Sequence, residues 1–192
     1  NMAMSLAIKK KKVLLIDGDL RHGSTSMVVG SPGEGLSDYL NGRVSDIHDI
    51  ICKGEESGLV KYFDILPIGT IPPNPTELLF TPLLEQMIKQ VRQEYDYVFI
   101  DCPPIEIVAD TPIYEQYADR TIFVVRAGLM ERSMLPDVEE LYKEKKFKNM
   151  SLILNGTKTH GGKYGSHYGY GYGYGYGYGY NYHYGSDKGG QK

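Results

Sequence analysis

Short runs of consecutive apolar residues alternate along this chain with longer segments in which apolar residues recur every three or four positions. The runs are VLLID (13–17), YFDILPI (62–68), YDYVFID (95–101), RTIFVV (120–125) and MSLILNG (150–156). A short continuous apolar run is typical of a strand that is buried on both faces of a sheet. The pattern therefore predicts five buried strands.

The segments between these runs have helical periodicity. The longest are residues 75–94 and 133–146, with shorter pieces near 37–41 and 45–51. The first residues, NMAMSLAIKKKK, have the lysine-rich end of a helix but no cap before it, and we expect them to be the end of a longer helix. Strands that alternate with helices predict an α/β fold, a parallel sheet with helices on both faces.

The composition changes after residue 159. Residues 160–192 contain no alanine, valine, leucine, isoleucine or methionine. Tyrosine occupies every second position from Tyr168 to Tyr184, mostly with glycine between. Such a segment buries too little apolar surface to offset its ordering entropy. We predict a globular domain over 1–159 and a disordered, tyrosine-rich tail over 160–192.

Composition excludes some classes of protein. The 192 residues suffice for one domain with a core, and the net charge of -3 argues against general nucleic-acid binding. Cys52 and Cys102 have no metal-type spacing, which suits a reducing cytoplasm. No apolar run approaches the roughly 18 residues that a membrane helix needs.

Candidate chemistry lies at the ends of two predicted strands. VLLIDGD places Asp17 at one strand end with Asp19 just beyond it, and YVFIDCPP places Asp101 at another. Ligands of parallel α/β sheets bind beyond the carboxyl ends of the strands, and carboxylate oxygens suit a magnesium ion with its nucleotide. Strand-ending aspartates also cap turns, but two in one chain favour a nucleotide site.

The sequence contains one candidate phosphate-binding loop, and it departs from the P-loop pattern. GSPGEGLS (30–37) has the glycine spacing of a P-loop, but Leu36 stands where the lysine belongs and no buried strand precedes it. We interpret it as a loop in which Ser37 caps a short helix. We expect the cradle itself to lie upstream of residue 1.

These motifs resemble those of the bacterial tyrosine kinases of capsule and exopolysaccharide export, the BY-kinase family. VLLIDGDLR is similar to its Walker A′ motif and YDYVFIDCPP to its Walker B motif. GLSDYLNG, LPIGTIPPNPTELL, VVRAG, LILNG and the tyrosine tail also resemble family features and occur in family order. The resemblance implies a P-loop NTPase-like kinase domain, incomplete at its N-terminus because the Walker A lysine is missing. After DLR, His22 and Gly23 replace the family's usual arginine and proline.

The resemblance also implies roles for individual residues. Asp17 would act as base or metal ligand, Asp19 would assist it, and Asp101 would bind magnesium. Arg21 would face phosphate or a neighbouring subunit, and Asn155 would lie near the nucleotide base. The implied cofactors are ATP and Mg²⁺.

The implied function is ATP-dependent autophosphorylation in trans of the tail, which regulates polysaccharide polymerisation and export. The implied phosphoacceptors are Tyr164, Tyr168, Tyr170, Tyr172, Tyr174, Tyr176, Tyr178, Tyr180, Tyr182 and Tyr184. The implied partners are a ring-like homo-oligomer, a membrane activator and the export machinery, at the cytoplasmic face of the cell membrane, without nucleic acid. Two alternatives remain open: an ATPase that positions cell-division sites or partitions DNA, and a non-catalytic scaffold that acts through its tail.

Overall fold

A computed structural model describes residues 1–104 and 110–157. The strands are β1 (Val13–Asp17), β2 (Phe63–Leu66), β3 (Tyr97–Asp101), β4 (Ile122–Arg126) and β5 (Ser151–Asn155). The α-helices are α1 (Met2–Ile8), α2 (Leu36–Leu40), α3 (Pro75–Leu79), α4 (Pro82–Glu94), α5 (Thr111–Glu115) and α6 (Leu135–Lys143). Three 3₁₀ turns cover Ser26–Val29, Ile47–Ile50 and Arg132–Met134.

All five predicted strands form, and every pair among them is parallel. Strand β1 is the centre of a three-stranded sheet of order β2-β1-β3, and β4 pairs with β5 in a second sheet. The parallel α/β architecture is therefore confirmed, although the described strands make two sheets where we expected one.

The core is divided by β1 into two sides. Leu14 and Ile16 pack into the larger apolar cluster, which includes Met87 of α4, whereas Val13 packs into a smaller one with Ala3 and Ala7 of α1. Successive residues of a strand point to opposite faces of its sheet. Helices therefore cover both faces of β1, as its continuous apolar run predicted.

The expectation of burial on both faces is wrong for β5. Leu152 and Leu154 are 51% and 54% exposed. Within the described residues, β4 and β5 form a separate two-stranded sheet. Their faces are therefore less covered by other elements than those of a strand inside a larger sheet.

The helix predicted over 75–94 is two helices. Helix α3 ends at Leu79 and α4 begins at Pro82, with Thr81 in an extended conformation between them. A residue that precedes proline is disfavoured in the helical region, because the proline ring clashes with its backbone. The helix therefore breaks before Pro82, where the apolar periodicity alone showed no interruption.

The segment GLSDYL docks onto LPIGT. The first amides of α2 donate to the other segment, Leu36 N to the Pro67 oxygen at 2.8 Å and Ser37 N to the Ile68 oxygen at 2.9 Å. Asp38 Oδ2 accepts from Thr70 N at 3.0 Å. The prediction that Ser37 caps the helix is wrong, because its hydroxyl donates to the Thr70 carbonyl and the helix begins at Leu36, two residues before the start that a Ser37 cap requires.

His48 joins the Ile47–Ile50 turn to the end of α4. Its Nδ1 lies 2.7 Å from Asp46 Oδ1 and its Nε2 lies 2.9 Å from Glu94 Oε2. The hydrogen bond with Glu94, followed by that with Asp46, raises the pKa of His48. Protonated His48 is therefore favoured in the folded state.

A pH dependence of stability follows from this bridge. A group whose pKa is raised by folding stabilises the fold fully below its unfolded pKa, about 6.5 for histidine, and loses that contribution as pH rises through the folded value. We expect His48→Gln to lower the melting temperature more at about pH 5 than at about pH 9. The pKa of Asp46 is lowered by the backbone N–H of His48, so Asp46 stays ionised throughout that range. An equal loss at both pH values, measured by circular dichroism, would contradict the bridge.

Candidate functional site

The two strand-ending carboxylates come together at one edge of the sheet. Asp17 and Asp101 are register partners on the parallel strands β1 and β3. Just beyond them, Gly18 N donates to the Asp101 carbonyl oxygen at 2.8 Å. A side chain at Gly18 would place its Cβ 2.9 Å from that same oxygen, so the close approach of the two strand ends requires glycine.

Two consecutive hydroxyl residues hold the two carboxylates. Ser26 donates to Asp17 Oδ2 twice, from its backbone N and from its Oγ, both at 2.7 Å. Thr25 Oγ1 donates to Asp101 Oδ2 at 2.6 Å. The Ser26 hydroxyl also accepts from Ile68 N at 2.9 Å, which anchors this pair to the segment after β2.

The environments of the two carboxylates differ. Asp17 is fully buried, whereas Asp101 is exposed. Burial raises the pKa of Asp17, the two Ser26 hydrogen bonds offset part of that rise, and the nearby charge of Asp101 adds to it. A raised pKa makes a carboxylate a stronger proton acceptor, and a buried group with such a shift marks a candidate functional site.

Asp19 is engaged within its own loop. Its Oδ1 accepts from Arg21 N at 3.2 Å and from His22 N at 3.3 Å, and His22 Nδ1 lies 3.0 Å from its Oδ2. Asp19 N lies 3.4 Å from Asp17 Oδ1. Asp19 is therefore adjacent to the paired carboxylates, where its side chain organises the turn that follows β1.

Arg21 contacts a carboxylate that sequence reasoning did not single out. Its Nη1 forms an ion pair with Oδ2 of Asp110, which is fully buried. Thr76 completes the group: it accepts from Arg21 Nη2 at 2.9 Å and donates to Asp110 Oδ1 at 2.7 Å. These contacts connect the loop after β1 with the PNPTELL segment and with the start of α5.

Two further groups near the strand ends are held neutral. The Tyr114 hydroxyl donates to the Gly18 carbonyl at 3.2 Å, and burial raises its pKa well above the usual value. Burial, with the charge of Asp101, raises the pKa of Cys102 to about 12. A neutral thiol is a poor nucleophile, so Cys102 is an inert packing residue.

The remaining predicted residues lie elsewhere. Asn155 ends β5 in the second sheet, and its carbonyl accepts from Ala127 N at 2.8 Å. The ten predicted phosphoacceptor tyrosines, from Tyr164 to Tyr184, lie outside the described residues.

Sequence reasoning missed four residues of this site: Thr25, Ser26, Thr76 and Asp110. The segment HGSTS was a weak signal for the first two, because a polar stretch with three hydroxyl residues, shortly after a strand-ending aspartate, can supply donors to that carboxylate. Thr76 lies within PNPTELL, which the family resemblance had singled out without a role. For Asp110 no local pattern pointed to burial.

The sequence and the fold resemble those of known nucleotide-binding proteins. A family model described as AAA domain matches residues 1–152. The septum site-determining protein MinD from Pyrococcus horikoshii, solved in complex with Mg-ADP, is 25% identical and superposes with a TM-score of 0.61 over 80% of this chain and 61% of that one. The class is therefore that of P-loop NTPase-like α/β proteins.

More specific relatives are kinases. The tyrosine-protein kinase CpsD of Streptococcus agalactiae is 34% identical over 87% of this chain and 72% of its own length. The kinase domain of the Escherichia coli tyrosine kinase ETK is 30% identical, with a TM-score of 0.73 over 89% of this chain and 64% of that one. The chain belongs to the bacterial tyrosine-protein kinase family, as its motifs predicted. It spans slightly less than two thirds of the ETK domain.

Among the described residues, no helix has both the length and the apolar content needed to cross a membrane.

Proposed function

We propose that this chain is part of an ATP-dependent protein-tyrosine autokinase that phosphorylates its own C-terminal tyrosine cluster in trans and thereby regulates polysaccharide polymerisation and export. The observation that supports this most is the pairing of a buried carboxylate with a raised pKa, Asp17, with an exposed one, Asp101, in a chain whose tail carries ten tyrosines. Kinases named for capsule regions, such as one in the cps region of Klebsiella pneumoniae, are among its relatives.

Asp17 is the proposed base. The attacking group is a phenol with a pKa near 10, and a carboxylate whose own pKa is raised is better matched to accept its proton. Ser26 holds Asp17 Oδ2 with two donors, which leaves Oδ1 as the oxygen that takes the proton. Asp19 and Arg21 are proposed to assist at the same edge, Asp19 by shaping the loop and Arg21 by holding its position against Asp110.

The residues present fit a magnesium ion. The donor set at the strand ends is all oxygen, with two carboxylates and the Thr25 hydroxyl, which is the ligand chemistry that Mg²⁺ prefers. Asp101, the exposed carboxylate, and the buried Asp17 are the side chains that would hold the ion. When bound, the ion neutralises phosphate charge that develops during transfer. Asn155 is proposed to contact the base of ATP.

The tail is the proposed substrate. Glycine between the tyrosines makes the backbone pliable enough to enter a cleft, and ten acceptors raise the local concentration of substrate. Each phosphate adds about -1.5 to -2 charges, so several of them make the tail strongly anionic. We propose that unmodified tails dock in neighbouring subunits of a ring-like oligomer at the membrane, together with an activator, and that phosphorylation releases them.

Two other functions remain candidates. The similarity to MinD favours a positioning ATPase, and the tail favours a scaffold that binds partners without catalysis. A positioning ATPase would turn over ATP without phosphorylating itself. A scaffold would bind partners equally well when Asp17 and Asp101 are replaced.

A mixing experiment tests the kinase proposal. Two proteins are prepared, each extended by the P-loop segment of a curated relative: one lacks residues 160–192, and the other keeps its tail but carries Asp17→Ala. Neither should form phosphotyrosine alone in Mg-ATP, whereas the mixture should label the tail of the Asp17→Ala chain.

The matched control is Asp137→Ala, which removes an exposed carboxylate of α6 and should leave autophosphorylation unchanged. Phosphotyrosine would be located by mass spectrometry. Labelling of the Asp17→Ala chain on its own would exclude Asp17 as the base. The absence of phosphotyrosine from every mixture, with ATP hydrolysis retained, would favour the positioning ATPase.

A further inference from the structure

The 3₁₀ turn Ser26–Val29 begins with a buried serine that is followed by two exposed apolar residues. Ser26 is 2% exposed and holds Asp17, whereas the next two residues, Met27 and Val28, are 58% and 56% exposed. Single exposed apolar residues are common on protein surfaces. This pair differs because it directly follows the residue that positions the proposed base.

The exposed pair is held in place from both sides. Thr25 and Ser26 are bound to Asp101 and Asp17, and Val28 N donates to the Thr25 carbonyl at 3.1 Å. After the pair, Gly30 N donates to the Met27 carbonyl at 3.2 Å. Since consecutive Cα atoms are about 3.8 Å apart, the Met27 Cα lies within about 9 Å of the Asp17 carboxylate.

We propose that Met27 and Val28 bind a tyrosine ring of the tail of a second copy of this chain, while the tyrosine two residues away reaches the sheet edge at which Asp17 and the exposed Asp101 lie. This inference rests on the proposed function and assigns the residues that recognise its substrate. In an extended chain, residues two positions apart lie on the same side and about 7 Å apart. That spacing of about 7 Å falls within the limit of about 9 Å between the Met27 Cα and the Asp17 carboxylate.

The chemistry of the tail suits this surface. Residues 160–192 contain no aliphatic side chain, so tyrosine rings are the apolar groups that the tail can offer. A methionine thioether makes favourable contacts with aromatic rings and adapts to their position. The 13 residues that follow Asn155, up to Tyr168, can span at most roughly 43 Å when extended, which sets the longest distance over which Tyr168 could reach a second copy.

The consequence is a preference for tyrosine at alternate positions. A tyrosine with a second tyrosine two residues away gains the contact with Met27 and Val28, whereas an isolated tyrosine does not. The alternation in the tail is then a recognition pattern as well as a supply of acceptors.

Two synthetic peptides test this preference. One has tyrosine and glycine in strict alternation, and the other has a single tyrosine among glycines. With the P-loop-extended chain, KM expressed per tyrosine should be about tenfold lower for the alternating peptide than for the single-tyrosine peptide. The two peptides should have similar kcat. The Met27→Ser/Val28→Ser double variant should lose this difference by raising KM for the alternating peptide alone. Equal KM values in the unsubstituted protein, or an unchanged KM in the double variant, would overturn the proposal.

Ile8→Ser is the matched control. Ile8 is 66% exposed and ends α1, which precedes the opposite end of β1 from Asp17, so its replacement should leave both KM values unchanged. Circular dichroism would verify that all variants are folded. The tail-less protein carrying the double substitution should sediment like the unsubstituted tail-less protein. A difference would show that Met27 and Val28 contact the globular domain of another copy, and would overturn tail binding.

A binding measurement separates this inference from the kinase assignment. Calorimetry with the chain itself requires no catalysis and should show tighter binding of the alternating peptide, lost in the double variant. If no peptide is phosphorylated but this binding pattern is found, the kinase proposal fails and the docking surface stands. If phosphorylation proceeds without the binding preference, the docking surface fails alone.

Discussion

Arg21→Met should lower the free energy of unfolding by about 3–5 kcal/mol, because it leaves a buried carboxylate without its cation. Asp110 is fully buried, and its carboxylate contacts Arg21 and Thr76. Methionine retains the apolar stem of arginine, so the loss reports mainly on the charge and its hydrogen bonds. Urea denaturation followed by circular dichroism would measure it.

Replacing the other partner of the ion pair should lower the free energy of unfolding by less. Asp110→Asn leaves Arg21 without its carboxylate, but the Arg21 side chain is 31% exposed and can be solvated. The asparagine also remains able to accept from Thr76, so we expect a loss of about 1–2 kcal/mol.

Arg92→Met is the matched control for the arginine change. Arg92 pairs with Asp119 on the surface, where the two side chains are 46% and 80% exposed. Exposed ion pairs contribute within about 1 kcal/mol, so its loss should be small. If Arg21→Met cost no more than Arg92→Met, the contact with Asp110 would not connect the loop to α5 as described.

Gly69→Ala should destabilise the fold by at least about 3 kcal/mol, from backbone strain and overpacking together. Gly69 has φ +72°, which L side chains rarely adopt, and an added Cβ would overlap Gly35 N and Asp38 Oδ2. It would also lie 2.7 Å from the Glu34 carbonyl carbon. The contact between GLSDYL and LPIGT would have to open.

Gly42→Ala separates the two causes. Gly42 has φ +74°, nearly the same as Gly69, but no atom lies within 4 Å of a Cβ placed there. Its replacement should cost only the backbone strain, about 1 kcal/mol. Thermal denaturation that gives equal losses for Gly42→Ala and Gly69→Ala would show that the two segments are not packed together.

The paired carboxylates could be predicted because the signal for them is local. An apolar run that ends in aspartate specifies both a buried strand and the end at which its carboxylate emerges. Since parallel strands present their carboxyl ends at one edge, the sequence alone predicts that Asp17 and Asp101 lie near each other. Their register pairing agrees with that expectation.

The supporting residues could not be predicted in this way. Arg21 and Asp110 are 89 positions apart, and Thr25 and Asp101 are 76 apart. A hydrogen bond between distant residues leaves no periodic pattern in either segment. The short loop DGDLRHGSTS gives no indication of which of its polar side chains turn inward.

The α/β class, the position of the strand-ending aspartates and the family can all be read from the amino-acid sequence, because apolar runs and contiguous motifs are local properties of the chain. The folded structure was needed to show that Asp17 is buried while Asp101 is exposed, that Ser26 and Thr25 hold them, and that Arg21 pairs with Asp110. Burial and long-range hydrogen bonds depend on which segments pack together, and that packing sets both the pKa of Asp17 and the position of its neighbours.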